Sequence, residues 1–312
     1  MKTKLTELLN IKYPIIQGAM AWVSESNLTA AVSNAGGAGT IASGGRTAEW
    51  VKEEIQKTKK LTNKSFGVNI AIIEGNCDEI IKVICEARVA YVTTGAGNPI
   101  PYFEKLHKAG IKVIPVVPNL KLAKRVAEKG ADAVIIEGME SGGHIGTISS
   151  MALMTQVIPQ VDIPVIAAGG FSDGRGLAAA LTMGAAGVQI GTRFYASKEC
   201  TAHIDVKQRI VDAIDTDTVV TGKSIGHRVR TLSNKLSDKY LELEKNGVSE
   251  EELINLVTGT SQKAPQEGDV EFGSVYAGQS ITVIDKIESC QSIIEKIITD
   301  AKEAIQYTQK YI

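Results

Sequence analysis

Residues 134–146 read VIIEGMESGGHIG, and they hold the side chains best suited to chemistry in this chain. The apolar run from Ala133 to Ile136 passes directly into a turn that contains Gly138, Gly142 and Gly143, two carboxylates and His144, one of four histidines. Glycine lets backbone approach a ligand closely, and imidazole is the side chain best placed to move protons near neutral pH. Glu137 and Glu140 stand three residues apart on a glycine-rich turn and need not face each other. A carboxylate turned inward would instead accept a hydrogen bond from a cofactor hydroxyl. Two further stretches, AAGGFSDGRG (167–176) and QIGTRF (189–194), present bare backbone. The N–H groups of Gly169, Gly170, Gly191 and Thr192 are candidates to converge on a phosphate dianion. Metal chemistry fits poorly, because no His, Cys, Asp or Glu group has ligand spacing. His107 reads as a surface histidine, His203 has no informative context, and His227 lies in a basic segment.

The elements that must position these residues follow a repeated phrase. A helical stretch ends in glycine and an apolar strand follows at once, at residues 34–43, 108–117, 128–138 and 182–192. The glycine supplies a left-handed helix stop. The unbroken apolar run is what a parallel strand buried on both faces requires. The pattern predicts eight strands, at 13–17, 39–43, 66–70, 89–93, 112–116, 133–137, 164–168 and 188–191. Helices are expected between them, including 119–129 from an Asn119 cap to Gly130 and 173–183 from an Asp173 cap to Gly184. Eight βα repeats predict an α/β fold, a (β/α)8 TIM barrel, with an open doubly wound sheet as the alternative. No Gly-x-Gly-x-x-Gly follows the first strand, as a Rossmann reading would want.

In such a barrel, function collects at the C-terminal strand ends, and phosphate binds after strands seven and eight. Nearly every predicted exit carries Gly, Asn, Gln or Thr. A glycine-lined mouth, a phosphate cradle, amide donors and one histidine together suit an FMN enzyme, whose ring carries the redox work. A phosphosugar isomerase would use the same cradle but wants a base at a strand end, where only Glu137 qualifies. Met20, Met139 and Met151 read as core by default.

The repeat fails after residue 192. The domains expected are a barrel over 1–198, a smaller, mostly helical lobe over 199–288 inserted before the last helix, and a helix within 289–312 that returns to the barrel. The chain of 312 residues has 34 basic and 35 acidic side chains and a net charge of −1, which argues against nucleic-acid or membrane partners. Four scattered cysteines suggest no disulfide framework. The first residues lack an apolar signal core, and no apolar run nears the ~20 residues of a membrane span. A cytoplasmic protein is expected. One local patch stands out: Lys223, Arg228, Arg230, Lys235 and Lys239 against the single acid Asp238.

IQGAM (16–20), SNAGGAGTIASG (33–44), GVNI (67–70), EGMESGGHIG (137–146), PVIAAGG (164–170) and GVQIGTRF (187–194) resemble the nitronate monooxygenase-like FMN barrels, over about residues 5–195. Two branches share the Gly-Gly-His triplet: nitronate monooxygenase and the flavin-dependent enoyl-acyl-carrier-protein reductase II. HRVRTLSNKL (227–236) and GDVEFGSVYAGQS (268–280) are similar to the reductase's C-terminal lobe. Ser141 stands where the reductase loop usually has Ala. The resemblance implies FMN contacts from Gly18, Met20, Asn69, Glu137, Gly143, Gly169, Gly170, Gln189, Gly191 and Thr192, with His144 as the catalytic side chain. It also implies NADH or NADPH as co-substrate, a monovalent cation near the site, acyl carrier protein as the partner bearing the substrate, and compatibility with a homodimer. The basic patch is then a candidate docking surface for the acidic carrier. A flavin- or phosphate-binding module without turnover is the reading from a different class.

Overall fold

Eight short parallel strands close on themselves around branched apolar side chains. The computed structural model describes residues 1–311. The strands are β1 (Ile15–Gln17), β2 (Gly39–Ala42), β3 (Phe66–Ala71), β4 (Tyr91–Gly95), β5 (Lys112–Val117), β6 (Val134–Glu137), β8 (Val165–Ala168) and β9 (Gly187–Ile190), with a two-residue strand, β7 (Gly143–His144), lying outside the barrel wall. The wall runs β1-β9-β8-β6-β5-β4-β3-β2. It closes through a parallel bridge between Ile16 and Ala38, where the Gln17 N–H donates to Ala38 O and the Ala38 N–H to Ile15 O, both at 2.9 Å. Every residue of β1, β2 and β8 is buried, as strands covered on both faces must be.

All eight expected barrel strands form, so the TIM barrel replaces the open-sheet alternative. Several boundaries move. The first strand starts at Ile15 rather than residue 13, and the fourth runs 91–95 rather than 89–93. Register against β3 and β5, with Tyr91 opposite Gly67 and Lys112, sets where β4 begins. The capped helices also form. Asn119 Oδ1 accepts from the Leu122 N–H at 2.9 Å to start Leu120–Glu128. Asp173 Oδ1 accepts from the Gly176 N–H at 2.9 Å to start Gly174–Thr182. Met151 departs from expectation: it sits in the first turn of Ser150–Val157 and is 58% exposed.

Beyond the barrel, helices occupy Ile204–Val211, Lys235–Lys245, Glu250–Val257 and Thr260–Glu267. The lobe also contains a hairpin that composition did not signal as sheet, β10 (Thr218–Thr221) with β11 (Val229–Leu232). The final helix, Cys290–Thr308, buries Ile293, Ile294, Ile297, Ile298 and Ala301 and packs on the helices Gly174–Thr182 and Ser26–Asn34. No helix among the described residues is long and apolar enough to cross a membrane.

Arg193, just past β9, ties this returning chain to the barrel. Its guanidinium is buried, pairs with Glu288 Oε2 at 2.7 Å and donates to Lys286 O at 3.1 Å. Removing one partner of a buried pair strands the other charge, at a cost of 3–5 kcal/mol as a rough range. Glu288 keeps 21% of its side chain in water, so Arg193→Ala should fall at the low end, about 3 kcal/mol, read as a lowered urea midpoint. An unchanged midpoint would contradict this anchoring role.

Candidate active site

The loop after β6 is held from two sides. On one side β11 pairs antiparallel with β7, Val229 opposite His144 and Arg230 opposite Gly143. The Ile145 N–H donates to Arg228 O at 3.0 Å and extends this pairing by one residue. Beneath it the Arg230 guanidinium, 3% exposed, donates to Met139 O from Nε at 3.2 Å and from Nη2 at 3.0 Å, while Nη1 reaches Thr218 Oγ1 at 3.0 Å. Burial pulls its pKa below the ordinary arginine value, and Glu140 opposes that shift. Arg230 therefore does not belong to an exposed docking patch, a correction to the reading of segment 223–239. Lys235 is also engaged, with Glu271 at 2.6 Å. Lys223, Arg228 and Lys239 remain without an acidic partner among the described residues, with Arg228 half-buried.

On the other side lies the segment 276–280. The Gln279 N–H donates to Glu140 O at 2.9 Å, and the Gly278 N–H to Thr192 Oγ1 at 3.0 Å. Gly142 packs on Ala277 so closely that a Cβ would lie 2.7 Å from the Ala277 nitrogen. Glu140 itself caps the helix Ser150–Val157, accepting from the Ser150 N–H and hydroxyl at 3.0 Å. Its carboxylate is committed to that helix start, where negative charge is stabilised, and does not serve as an acid–base partner of Glu137.

Across the mouth, Gly169 (φ +89°) and Gly170 (φ +77°) adopt left-handed backbone. The N–H groups of Gly169, Gly170 and Gly191 meet no protein acceptor among the described residues. Thr192 opens the short turn Thr192–Tyr195, so its N–H also lacks an intrahelical partner. These are the donors expected of a phosphate cradle. The Thr192 hydroxyl oxygen already accepts from Gly278, so it links the cradle to the lobe.

The remaining expected residues share this end of the barrel. Gly18 packs against the Gln189 side chain, and Met20 Sδ lies 3.8 Å from where a Gly191 Cβ would stand. Asn69 Nδ2 donates to Thr93 Oγ1 at 3.0 Å. Gly143 faces open space. Gln17, at the end of β1, is buried and braces the neighbouring loops, donating to Ser24 Oγ and accepting from the Thr40 N–H, both at 2.9 Å. The hydroxyls of Ser43, Thr94 and Ser141 are buried without any partner. Such orphaned groups need an explanation, and a polar ligand over the strand exits supplies one. Unpaired cradle donors, open glycine faces and orphaned hydroxyls together fit FMN. Among the described residues no group of three or more His, Cys, Asp or Glu is placed to hold a metal ion.

Two titratable groups are displaced from their usual values. Burial pushes the Glu137 carboxyl up to about 7, and the nearby Ser141 hydroxyl pulls the other way without a hydrogen bond of normal geometry. His144 stands at the exposed rim, yet the surrounding protein, and then His227, hold its pKa below the ordinary imidazole value. The other two histidines lie outside the site: His107 bonds Asp132 at 2.9 Å, and His203 caps the helix Ile204–Val211. The parts missed in the sequence are the β10–β11 hairpin, Arg230 and the 276–280 strap. A usable signal existed for the hairpin: two β-branched runs, TVVT and VRTL, separated by a turn with Gly222 and Gly226.

The family model for nitronate monooxygenase matches residues 2–81 and 71–300 of the chain. Among solved structures, FabK from Thermotoga maritima is similar with a TM-score of 0.97 and 45% identity, covering 100% of both chains. A (3aS,4S,5R,7aS)-5-hydroxy-7a-methyl-1-oxo-octahydro-1H-indene-4-carboxyl-CoA dehydrogenase from Rhodococcus jostii is 35% identical across 98% of this chain and 97% of its own. A probable nitronate monooxygenase from Staphylococcus aureus is 30% identical across 98% and 99%.

The Glu137 carboxyl gives a direct test of this local electrostatics. A folded-state pKa of about 7 means that Glu137 stabilises the fold fully below its unfolded value and loses that contribution as pH rises through 7. Glu137→Gln should therefore match the wild type near pH 4 and exceed it at pH 8. The gain, measured by urea unfolding of flavin-free protein, is at most about 3 kcal/mol. Equal pH dependence in the two proteins would contradict the assignment.

Proposed function

This chain is an oxidoreductase that belongs to the nitronate monooxygenase family of FMN enzymes, and we propose that it reduces trans-2-enoyl thioesters of acyl carrier protein with NADH or NADPH as electron source. The observation that carries this reading is the full-length likeness to FabK at 45% identity, against 30% to the probable nitronate monooxygenase. FabK is the reductase branch to which the loop 137–146 and the lobe segments 227–236 and 268–280 are similar. The coenzyme A substrate in the name of the Rhodococcus relative supports a thioester class as well.

In this reading the backbone N–H groups of Gly169, Gly170, Gly191 and Thr192 would hold the FMN phosphate. Glu137 would accept from a ribityl hydroxyl, and Gly18, Met20, Asn69, Gly143 and Gln189 would line the ring. Bound there, FMN would supply the hydride-transfer chemistry that links the nicotinamide to the enoyl C3. The chain's own contribution is positional and electrostatic. His144, fixed by the β7–β11 pairing, directs an imidazole N–H at the thioester oxygen, where negative charge grows as C3 is reduced. A proton delivered to C2 from His144 or water completes the saturated thioester. No dinucleotide motif follows the first strand, so NAD(P)H and the enoyl thioester would enter by the same mouth in turn. In this reading the reaction takes place in the cytoplasm, and Lys223, Arg228 and Lys239 meet the acidic carrier protein.

Nitronate oxidation is the second reading, favoured by the family model and the Staphylococcus relative. There His144 acts as the base that removes the α-proton. It requires oxygen consumption with nitroalkanes in the absence of NAD(P)H. Under the reductase reading, NAD(P)H oxidation depends on an added crotonyl thioester, and His144→Ala lowers that rate by ~10²–10⁴-fold while flavin remains bound. A wild-type rate in that variant would remove His144 from the mechanism. Arg228→Glu should raise the KM for the carrier-bound substrate several-fold and leave that for a coenzyme A thioester near its original value. Equal changes would refute carrier docking at this surface.

A further inference from the structure

His144 is not the only imidazole on its face of the sheet. In an antiparallel pair, residues directly opposite project to the same side, and residues two apart on one strand share a face. Val229 is opposite His144, and the Ile145 N–H bond to Arg228 O carries the pairing past Val229 toward the hairpin turn. His227 lies just before β11, two residues from Val229, and the same alternation makes it the diagonal neighbour of His144. The alternation is corroborated from the other face, where Arg230 runs beneath the loop to Met139 O.

We propose that His227 is a positioning residue for His144: its imidazole, on the same face of the β7–β11 pairing, sets the protonation state in which His144 meets substrate. The role this gives His144 in turnover rests on the proposed function; the coupling itself rests on the strand register. Two imidazoles at a diagonal spacing resist carrying protons together, so a positive charge at position 227 opposes protonation of His144. The other charged groups on the packed elements are committed elsewhere. Glu140 is bonded to Ser150, Arg230 to Met139 O and Thr218, Glu244 of the helix Lys235–Lys245 to Ser224 in the hairpin turn, and Glu137 lies at the base of the loop beside Ser141. On the strap, the phenol of Tyr276 is pushed up by burial and stays neutral. Lys223 and Arg228 belong to the hairpin itself, Lys223 on the exposed turn and Arg228 on the opposite face. In keeping with this geometry, His227 is the charged neighbour that lowers the His144 value, after burial.

Histidine ring protons of the flavin-loaded enzyme test this without any turnover, with the His144 signal identified by its loss in His144→Ala. In His227→Gln the His144 midpoint should rise, by on the order of half a pH unit for unit charges ~7 Å apart in partly wetted surroundings. In His227→Lys, which keeps a positive charge at that position, it should stay at or below the wild-type value. One common midpoint in all three proteins would overturn the proposal. The limb of the pH–rate profile for crotonyl thioester reduction that His144 controls should move in the same direction. Movement of the midpoints with a fixed rate profile would uphold the coupling and instead refute the assignment of His144 to the reduction.

Discussion

Two residues of the loop after β6, Gly143 and His144, are hydrogen-bonded as a strand to Val229 and Arg230, which lie far along the chain beyond the barrel strands. Much of the site's geometry follows from that pairing. A glycine-rich loop leaving a barrel strand has many accessible conformations, and fixing each residue costs about 1–2 kcal/mol of backbone entropy. The ladder with β11, the guanidinium of Arg230 on Met139 O, and the 277–279 strap against Gly142 and Glu140 restrict the loop together. The lobe thus acts as a clamp on the barrel mouth, and it is anchored in turn by Arg193 and Glu288.

The clamp also settles how the two carboxylates divide. Glu140 is drawn to the start of the helix Ser150–Val157, where backbone N–H groups and the Ser150 hydroxyl favour its charge. Glu137 stays at the strand end, where burial lifts its pKa and the Ser141 hydroxyl opposes that shift. The same sequence motif therefore supplies one structural anion and one group that changes charge near neutral pH. Opposite them Gly169, Gly170, Gly191 and Thr192 offer unpaired N–H donors and no cationic side chain of their own, so an anion there would be held by backbone dipoles.

Much of this was legible in the sequence, for a physical reason. A parallel barrel strand buried on both faces must be an apolar run, and a helix ending in glycine announces the next one; both signals are local. His144, Glu137 and the paired glycines after the last strands were legible because glycine and charge at a buried strand exit are costly unless used. The hairpin left only a local signal, the runs TVVT and VRTL around a glycine turn; that β11 also pairs with β7 is a contact between distant segments that no local pattern carries. Arg230 reads as a surface cation because composition counts its charge and cannot see that its guanidinium turns under the loop. Met151 shows the converse: an apolar residue reads as core, but its place in the first turn of Ser150–Val157 turns it to solvent while Ser150 and Leu153 are buried.

The central claim, that this mouth passes electrons from NAD(P)H to an enoyl thioester, is tested most directly by anaerobic stopped-flow absorbance of the flavin-loaded protein. NAD(P)H is mixed first and crotonyl-coenzyme A second. The flavin band should be lost fast on the first mixing and return only when the enoyl thioester is added. Slow or absent bleaching by NAD(P)H, with rapid bleaching by a nitronate, would contradict it and assign the chain to nitronate oxidation.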